Sequence, residues 1–167
     1  MEKVKIAVIG GGSTYTPELV EGLIAYTGEL SLSSLCLTDV DRKRLKIVGG
    51  LVSAWQPRRE THSAWSSPNQ GEGCRGRGFC PYTASSQRAK GSACDTVLCL
   101  EEGTTGQETT SPAGFAKALC TIPVVLDIRQ GMRELAPSAW LINFTNPFGI
   151  ITEAILNPSS ALLTSCL

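Results

Sequence analysis

A short apolar run that breaks into three glycines is the feature that most limits how this chain can fold. Ile6 to Ile9 is followed by Gly10-Gly11-Gly12, and an amphipathic segment begins behind Thr16-Pro17. This order predicts a strand, a tight turn and a helix. Glycines let the backbone approach a dinucleotide pyrophosphate, and the amides at the start of a helix attract its charge. Gly10 and Gly12 fit the G-x-G-x-x-G pattern, whereas Tyr15 stands where its third glycine would be.

The first helix has clear starting signals. Thr16 is a candidate cap, Pro17 suits the first helical position and Glu18 suits the positive end of the helix dipole. The predicted buried stripe of this helix is Leu19, Val20, Leu23 and Ile24.

Ser34–Thr38 predicts a second strand that ends at Asp39. An acidic residue at this place in dinucleotide folds accepts hydrogen bonds from the adenosine ribose. The alternative is that Asp39 marks the start of the next helix, where Asp41 would serve as well. That helix is predicted over Asp41–Trp55, with a buried face of Leu45, Val48, Leu51, Val52 and Trp55. The resulting βαβα opening predicts an α/β, Rossmann-like parallel sheet with flanking helices.

The sequence changes character between residues 56 and 105. Apolar periodicity is absent until Asp95–Leu100, which is predicted to form a short strand. A long patternless stretch inside a compact domain is atypical, so we expect disorder or a shifted reading frame there. The Gly-Arg alternation over Gly71–Gly78 is also compatible with RNA binding, but one such patch in a neutral chain is weak evidence.

Regular patterns return after Gly106. A long helix is predicted from Pro112, kinked at Pro123, with a buried side of Phe115, Leu119, Ile122, Val125, Leu126 and Met132. Ala139–Thr145 predicts a parallel strand buried on both faces, and Phe148–Leu156 a short helix that stops before Asn157-Pro158.

Composition excludes several classes of protein. The chain has 167 residues and a formal net charge of zero, which disfavours nucleic acid as a partner. No apolar run approaches the roughly 20 residues that cross a bilayer, and no secretory signal is evident, so we expect a cytoplasmic protein. The seven cysteines include no C-x-x-C pair and there is one histidine, His62, which favours free thiols over zinc or disulfides.

Three motifs in the chain resemble glycoside hydrolase family 4. They are the opening Val8-Ile-Gly-Gly-Gly-Ser-Thr-Tyr-Thr-Pro17, the turn Gly106-Gln-Glu-Thr-Thr110 and the strand end Asn143-Phe-Thr-Asn-Pro147. The residues of these motifs are similar to those of the 6-phospho-β-glucosidase branch. The resemblance covers residues 1–55 and 106–156, and leaves out the atypical middle and the tail.

The resemblance implies an enzyme that binds NAD and a divalent metal, commonly manganese, and cleaves phosphorylated disaccharides or glucosides. Family members are an exception to the two-carboxylate scheme of most glycosidases. The sugar is oxidised at C3, a tyrosine removes the C2 proton, the aglycone is eliminated, and the hydride later returns.

By position, the resemblance assigns the pyrophosphate to Gly10, Gly12, Ser13 and Thr14, and the ribose to Asp39. Glu108 matches a residue that supports the basicity of the catalytic tyrosine, and Asn146 a residue that contacts substrate. The alternatives are that Glu108 begins a helix and that Asn146 serves the turn before proline.

Other family features have no counterpart in the sequence. No metal ligand matches, because the motif around Cys166 differs from that of the family's metal-binding cysteine, and the tyrosine base is not found. We therefore expect an NAD-binding domain over residues 1–157, an unstructured tail over 158–167, no second, catalytic domain and no glycosidase activity. A family-like homo-oligomer would have lost its interface. The alternatives are an NAD-binding module without catalysis and a fragment of a lactate/malate-type dehydrogenase.

Overall fold

The computed structural model describes residues 4–26, 29–55, 79–82 and 89–157 of the chain. The elements in order are β1 (Val4–Ile9), α1 (Thr16–Ala25), β2 (Leu32–Thr38), α2 (Arg42–Trp55), β3 (Phe79–Tyr82), α3 (Ala89–Glu101), α4 (Pro112–Leu135), β4 (Trp140–Asn143) and α5 (Phe148–Leu156). None of the helices in these ranges combines the length and apolar character that a membrane span needs.

The described strands form one sheet in the order β2-β1-β3-β4. β1 is parallel to β2, with Ile6 opposite Leu35 and Ile9 opposite Thr38. β1 is also parallel to β3 on its other edge, where Ile9 is opposite Tyr82. Both edges of β1 are therefore paired, and the predicted α/β, Rossmann-like fold is confirmed.

The chain divides into two compact units. The first comprises residues 1–84 and 131–142, and the second comprises residues 85–130 and 143–167. In the first unit, β1, β2, α1 and α2 share a cluster of buried residues: Ile6, Val8, Val20, Leu35, Leu37, Leu45 and Val52. Leu19, Leu23 and Ile24 pack against this cluster, so the stripe predicted for α1 is confirmed.

The face predicted for α2 is correct at Leu45 and Val52 and wrong at Leu51, which is 43% exposed. The stripe that faces the sheet is narrower than the sequence suggested, and Gly49 occupies a buried position on the helix.

The middle of the chain contains elements that the sequence analysis missed. The strand predicted at Asp95–Leu100 is wrong, because these residues belong to α3. In the part of α3 whose burial is described, residues 93–101, Cys99 is buried while Val97, Leu98 and Leu100 are exposed. The Gly-Arg alternation, His62 and the tail over 158–167 lie outside the described residues.

The long helix predicted from Pro112 is confirmed as α4, with Pro123 inside it, but its buried face was partly wrong. Phe115 and Leu119 are exposed. The N-terminal half of α4 instead buries small or polar side chains: Ala113, Lys117, Ala118 and Thr121. The helix turns its narrow face inward because small side chains permit close approach of the neighbouring backbone.

The strand predicted to be buried on both faces is also wrong in that respect. β4 is the end strand of the described sheet, and Trp140 on it is 76% exposed. α5 has the predicted bounds, with Ile151 fully buried, and the Asn146-Pro147 peptide ahead of it is cis.

Candidate functional site

The glycine turn between β1 and α1 is attached to the end of β2. Gly10 has φ of 81°, a left-handed conformation that glycine adopts without steric cost. The amides of Gly10 and Gly11 both donate to the Thr38 carbonyl, at 2.7 and 2.8 Å. The turn is therefore fixed against the carboxyl end of the sheet, where ligands bind in open α/β folds.

Gly11 and Gly12 are required by close packing, not by backbone conformation. A Cβ on Gly11 would lie 2.8 Å from the Cβ of Leu37, and one on Gly12 would lie 2.9 Å from Oδ2 of Asp39. Sequence reasoning missed Gly11, because the G-x-G pattern treats this position as free. The one available signal was the run of three glycines itself.

The hydrogen bonds of the turn refine what each predicted pyrophosphate residue can do. The Gly12 amide donates to Oδ2 of Asp39 at 2.9 Å, and the Ser13 amide donates to the Gly10 carbonyl at 3.0 Å. The Tyr15 amide donates to Oγ of Ser13 at 3.2 Å. Within the described residues, the Thr14 amide has no such acceptor. Gly10 and Gly12 therefore give the turn its shape, whereas the backbone amide of Thr14 can donate a hydrogen bond to a ligand.

Asp39 and Asp41 have separate tasks at the end of β2. Asp39 accepts the Gly12 amide through one oxygen and the Asp41 amide, at 2.8 Å, through the other. Asp41 caps α2, because its Oδ1 accepts the amides of Lys43 and Arg44 at 3.0 and 3.1 Å. The capping role, which the sequence left open between the two, belongs to Asp41. Asp39 lies beside the glycine turn, to which it is joined through the Gly12 amide.

The start of α1 differs from the prediction. Tyr15 is the N-cap and no side chain caps the helix, so the capping role predicted for Thr16 is wrong. Thr16 lies inside the first turn and is fully buried, and its Oγ1 has no hydrogen-bond partner within the described residues. The helix begins one residue earlier than a Thr16 cap would require.

Glu108 lies in the second unit, in the turn that precedes α4. Its carboxylate accepts a hydrogen bond from Nζ of Lys117, and the two side chains form an ion pair. Lys117 is 8% exposed, and burial lowers the pKa of its ammonium from 10.5. Sequence reasoning missed Lys117. The available signal was a lone cation spaced by four residues from Ala113 and Thr121 on one helical face.

Asn146 also lies in the second unit, at the turn before α5, where its side chain is partly buried. The hydrogen bonds of this turn are made by Asn143. Its Nδ2 donates to the Phe148 carbonyl and to Oγ1 of Thr152, both at 3.4 Å, and its Oδ1 accepts the Thr145 amide at 3.0 Å. Asn143 therefore supports the turn that carries Asn146.

The described residues do not assemble a metal site. No group of three or more His, Cys, Asp or Glu side chains in these ranges is arranged to hold a metal ion. Cys36, Cys94, Cys99 and Cys120 are free thiols. Cys166 lies outside the described residues.

Comparison with known proteins identifies the family to which the chain belongs. The sequence model described as family 4 glycosyl hydrolase matches residues 5–166. The chain belongs to family 4 of the glycosyl hydrolases. The match runs through the atypical middle and into the tail, both of which our motif-based resemblance had left out.

Several relatives act on phosphorylated glucosides according to their names, and 6-phospho-beta-glucosidases are among them. The chain is 39% identical over 160 residues to a probable 6-phospho-beta-glucosidase of Bacillus subtilis, an alignment that covers 94% of this chain and 36% of the relative. It is 37% identical over 161 residues to a 6-phospho-beta-glucosidase of Escherichia coli, with 92% and 35% covered. The chain therefore spans little more than a third of the length of these relatives.

A solved relative shows the same fold with ligands. The 6-phospho-beta glucosidase of Thermotoga maritima, solved with manganese, NAD+ and glucose-6-phosphate, superposes with a TM-score of 0.86 at 33% identity. That match covers 93% of this chain and 38% of the relative. NAD and manganese are therefore cofactors found in this family, as the sequence resemblance implied.

Proposed function

We propose that this chain is the NAD-binding part of a 6-phospho-β-glucosidase. The observation that carries the proposal is the hydrogen bond between the Gly12 amide and Asp39, which joins the glycine turn to a carboxylate at the end of β2. These two elements are what a dinucleotide fold offers to the pyrophosphate and the adenosine ribose. The names of the relatives support the choice of a phosphorylated glucoside as substrate class.

The turn fits the cofactor in three respects. It carries no side chain from Gly10 to Gly12, the Thr14 amide has no acceptor among the residues described, and the N-terminus of the ten-residue α1 follows at once. We assign the pyrophosphate to the backbone of Gly10 and Gly12 together with Ser13 and Thr14. When bound, NAD supplies a nicotinamide that accepts and returns hydride.

Asp39 keeps acceptor capacity for the ribose. A carboxylate has about four lone-pair sites, and the amides of Gly12 and Asp41 use two of them. The ribose hydroxyls would donate to the sites that remain, and the two amides would hold the carboxylate in place for them.

Two residues of the second unit are assigned to the reaction itself. We assign to Glu108 support for the basicity of a tyrosine base, and to Asn146 a contact with the sugar. Since the described residues hold no metal cluster, we derive no step through a metal from them. A cytoplasmic location, a single NAD-binding domain over residues 1–157 and a homo-oligomer with a lost interface stay predictions.

Calorimetric titration of the chain with NAD tests the cofactor site, and the two aspartates between β2 and α2, Asp39 and Asp41, provide a matched pair of variants. D39A removes a hydrogen bond between a ribose hydroxyl and a charged acceptor, worth about 1.5–3 kcal/mol, so we expect a Kd raised by about 10- to 100-fold. D41A removes the α2 cap and costs about 1 kcal/mol of folding stability, with NAD affinity retained.

The outcomes separate the candidate functions. NAD binding that D39A weakens and D41A does not supports the proposal for the cofactor site. Absence of binding by the wild-type chain, or equal loss in both variants, contradicts it. Binding without hydrolysis of a 6-phospho-β-glucoside supports the alternative of an NAD-binding module without catalysis.

A further inference from the structure

Lys117 is an unusual cation for its position on α4. Its side chain is charged but only 10% exposed, and it lies on the same buried face of the helix as Ala113, Ala118 and Thr121. Burial of an ammonium costs several kcal/mol unless the charge is paired and hydrogen-bonded. The partner is Glu108, which is 49% exposed and reaches Lys117 with one carboxylate oxygen.

The segment that carries Glu108 is held firmly against α4. Oε1 of Gln107 accepts the amides of Thr109 and Thr110, at 2.7 and 2.6 Å. The hydroxyl of Ser111 donates to the Gln107 carbonyl and accepts the Ala113 amide at 3.1 Å. These bonds make Gln107 and Ser111 the residues that shape the turn, so the turn does not depend on the Glu108 side chain.

The backbone of Glu108 also packs directly on the helix. A Cβ on Gly114 would overlap the Glu108 carbonyl oxygen. Oγ1 of Thr121 donates to the Lys117 carbonyl at 2.8 Å within the same buried face. The backbone of both residues therefore makes contacts that do not depend on the ion pair.

The surroundings of Lys117 include a second carboxylate. Asp95 from α3 lines a small cleft together with Thr96, Gly106, Glu108, Ala113 and Lys117. Oδ2 of Asp95 is buried and has no hydrogen-bond partner within the described residues. Among the residues described, Glu108 and Asp95 are the titratable groups that face this cleft with Lys117, and Glu108 forms an ion pair with its ammonium.

We propose that Lys117 is a positioning residue that holds the Glu108 carboxylate in one orientation. One oxygen is engaged by the buried ammonium, while the half-exposed carboxylate stays accessible to a reacting group. A structural alternative, in which Glu108 merely marks the start of α4, does not need a buried cation, because Gln107 and Ser111 already satisfy the turn. The relevance of Lys117 to catalysis rests on the proposed function, but the pairing does not.

The test is the titration of the Glu108 carboxyl, followed by ¹³C NMR in the whole chain. A cation at contact distance lowers a carboxyl pKa by about 1–3 units, so K117M is expected to raise the Glu108 midpoint by about one pH unit or more. K117R restores the positive charge and is expected to return the midpoint toward the wild-type value. K46M, which removes an exposed lysine of α2, is the control and leaves Glu108 unchanged.

An unchanged Glu108 midpoint in folded K117M overturns the proposal. If K117M loses its dispersed amide spectrum, E108Q provides the reciprocal measurement, since glutamine keeps the size of the side chain. Loss of the carboxylate then lowers the midpoint of the Lys117 ammonium, followed by ¹⁵N NMR. An unchanged Lys117 midpoint in E108Q overturns the proposal as well. None of these readouts requires NAD binding or turnover, so failure of the proposed function is a separate result.

Discussion

Replacement of Gly11 by alanine tests how the glycine turn is packed. Gly11 has no positive φ, so alanine meets no backbone strain there, and the whole effect comes from its methyl group. That carbon would lie 2.8 Å from the Cβ of Leu37, 3.2 Å from its Cα and 3.3 Å from the Thr38 amide nitrogen. These atoms belong to, or are bonded to, the backbone of β2 and cannot rotate away.

The expected cost follows from overpacking a rigid contact. Such insertions lower the free energy of unfolding by about 1–3 kcal/mol. For a chain of this size, 1 kcal/mol corresponds to about 2–4 °C in Tm, so a mid-range cost lowers the Tm by about 4–8 °C. Thermal unfolding followed by far-UV circular dichroism, with a urea titration to obtain the free energy, measures both quantities.

Gly22→Ala is the matched control. Gly22 lies in α1, and a Cβ there meets nothing within 4 Å. Alanine is a better helix former than glycine by about 0.5–1 kcal/mol, so G22A is expected to raise the Tm. If G11A unfolds at or above the wild-type Tm while G22A behaves as expected, the close approach of the turn to β2 is refuted.

Two further predictions concern buried polar groups. T16V is expected to raise the free energy of unfolding by about 1 kcal/mol, because it removes a fully buried hydroxyl without a described partner. T121V is the control and is expected to lower the free energy of unfolding by about the same amount, since Oγ1 of Thr121 donates to the Lys117 carbonyl. If urea titrations show a lower free energy of unfolding for both variants, the Thr16 hydroxyl has a hydrogen-bond partner in solution and the prediction is wrong. Burial lowers the pKa of Lys117 in the folded chain below its ordinary value of 10.5. Between the folded pKa and the unfolded pKa the unfolded chain binds more protons, so the free energy of unfolding rises as the pH increases through that window. K117M is expected to flatten this rise in urea titrations at a series of alkaline pH values, and an equal slope in both proteins would contradict the assignment.

The amino-acid sequence determined the features that depend on neighbours along the chain. The turn after β1, the stripe of α1, the start of α2 next to Asp41 and the bounds of α5 follow from glycine and proline chemistry and from local periodicity. These signals need no knowledge of what the element packs against. The same holds for the family motifs at Gly10–Gly12 and Asn146, because they are contiguous in sequence.

Tertiary structure decided which of several compatible local choices was used. The sequence of β3 shows no apolar periodicity that predicts a strand, and its parallel pairing with β1 is what identifies it as one. The apolar run within residues 95–100 is short enough for either a strand or a helix, and in the structure it belongs to α3. α4 presents two candidate faces, and close packing selected the one with small side chains, which places Lys117 beside Glu108. Gly11 is needed for the same reason, since only the approach of β2 excludes a Cβ there.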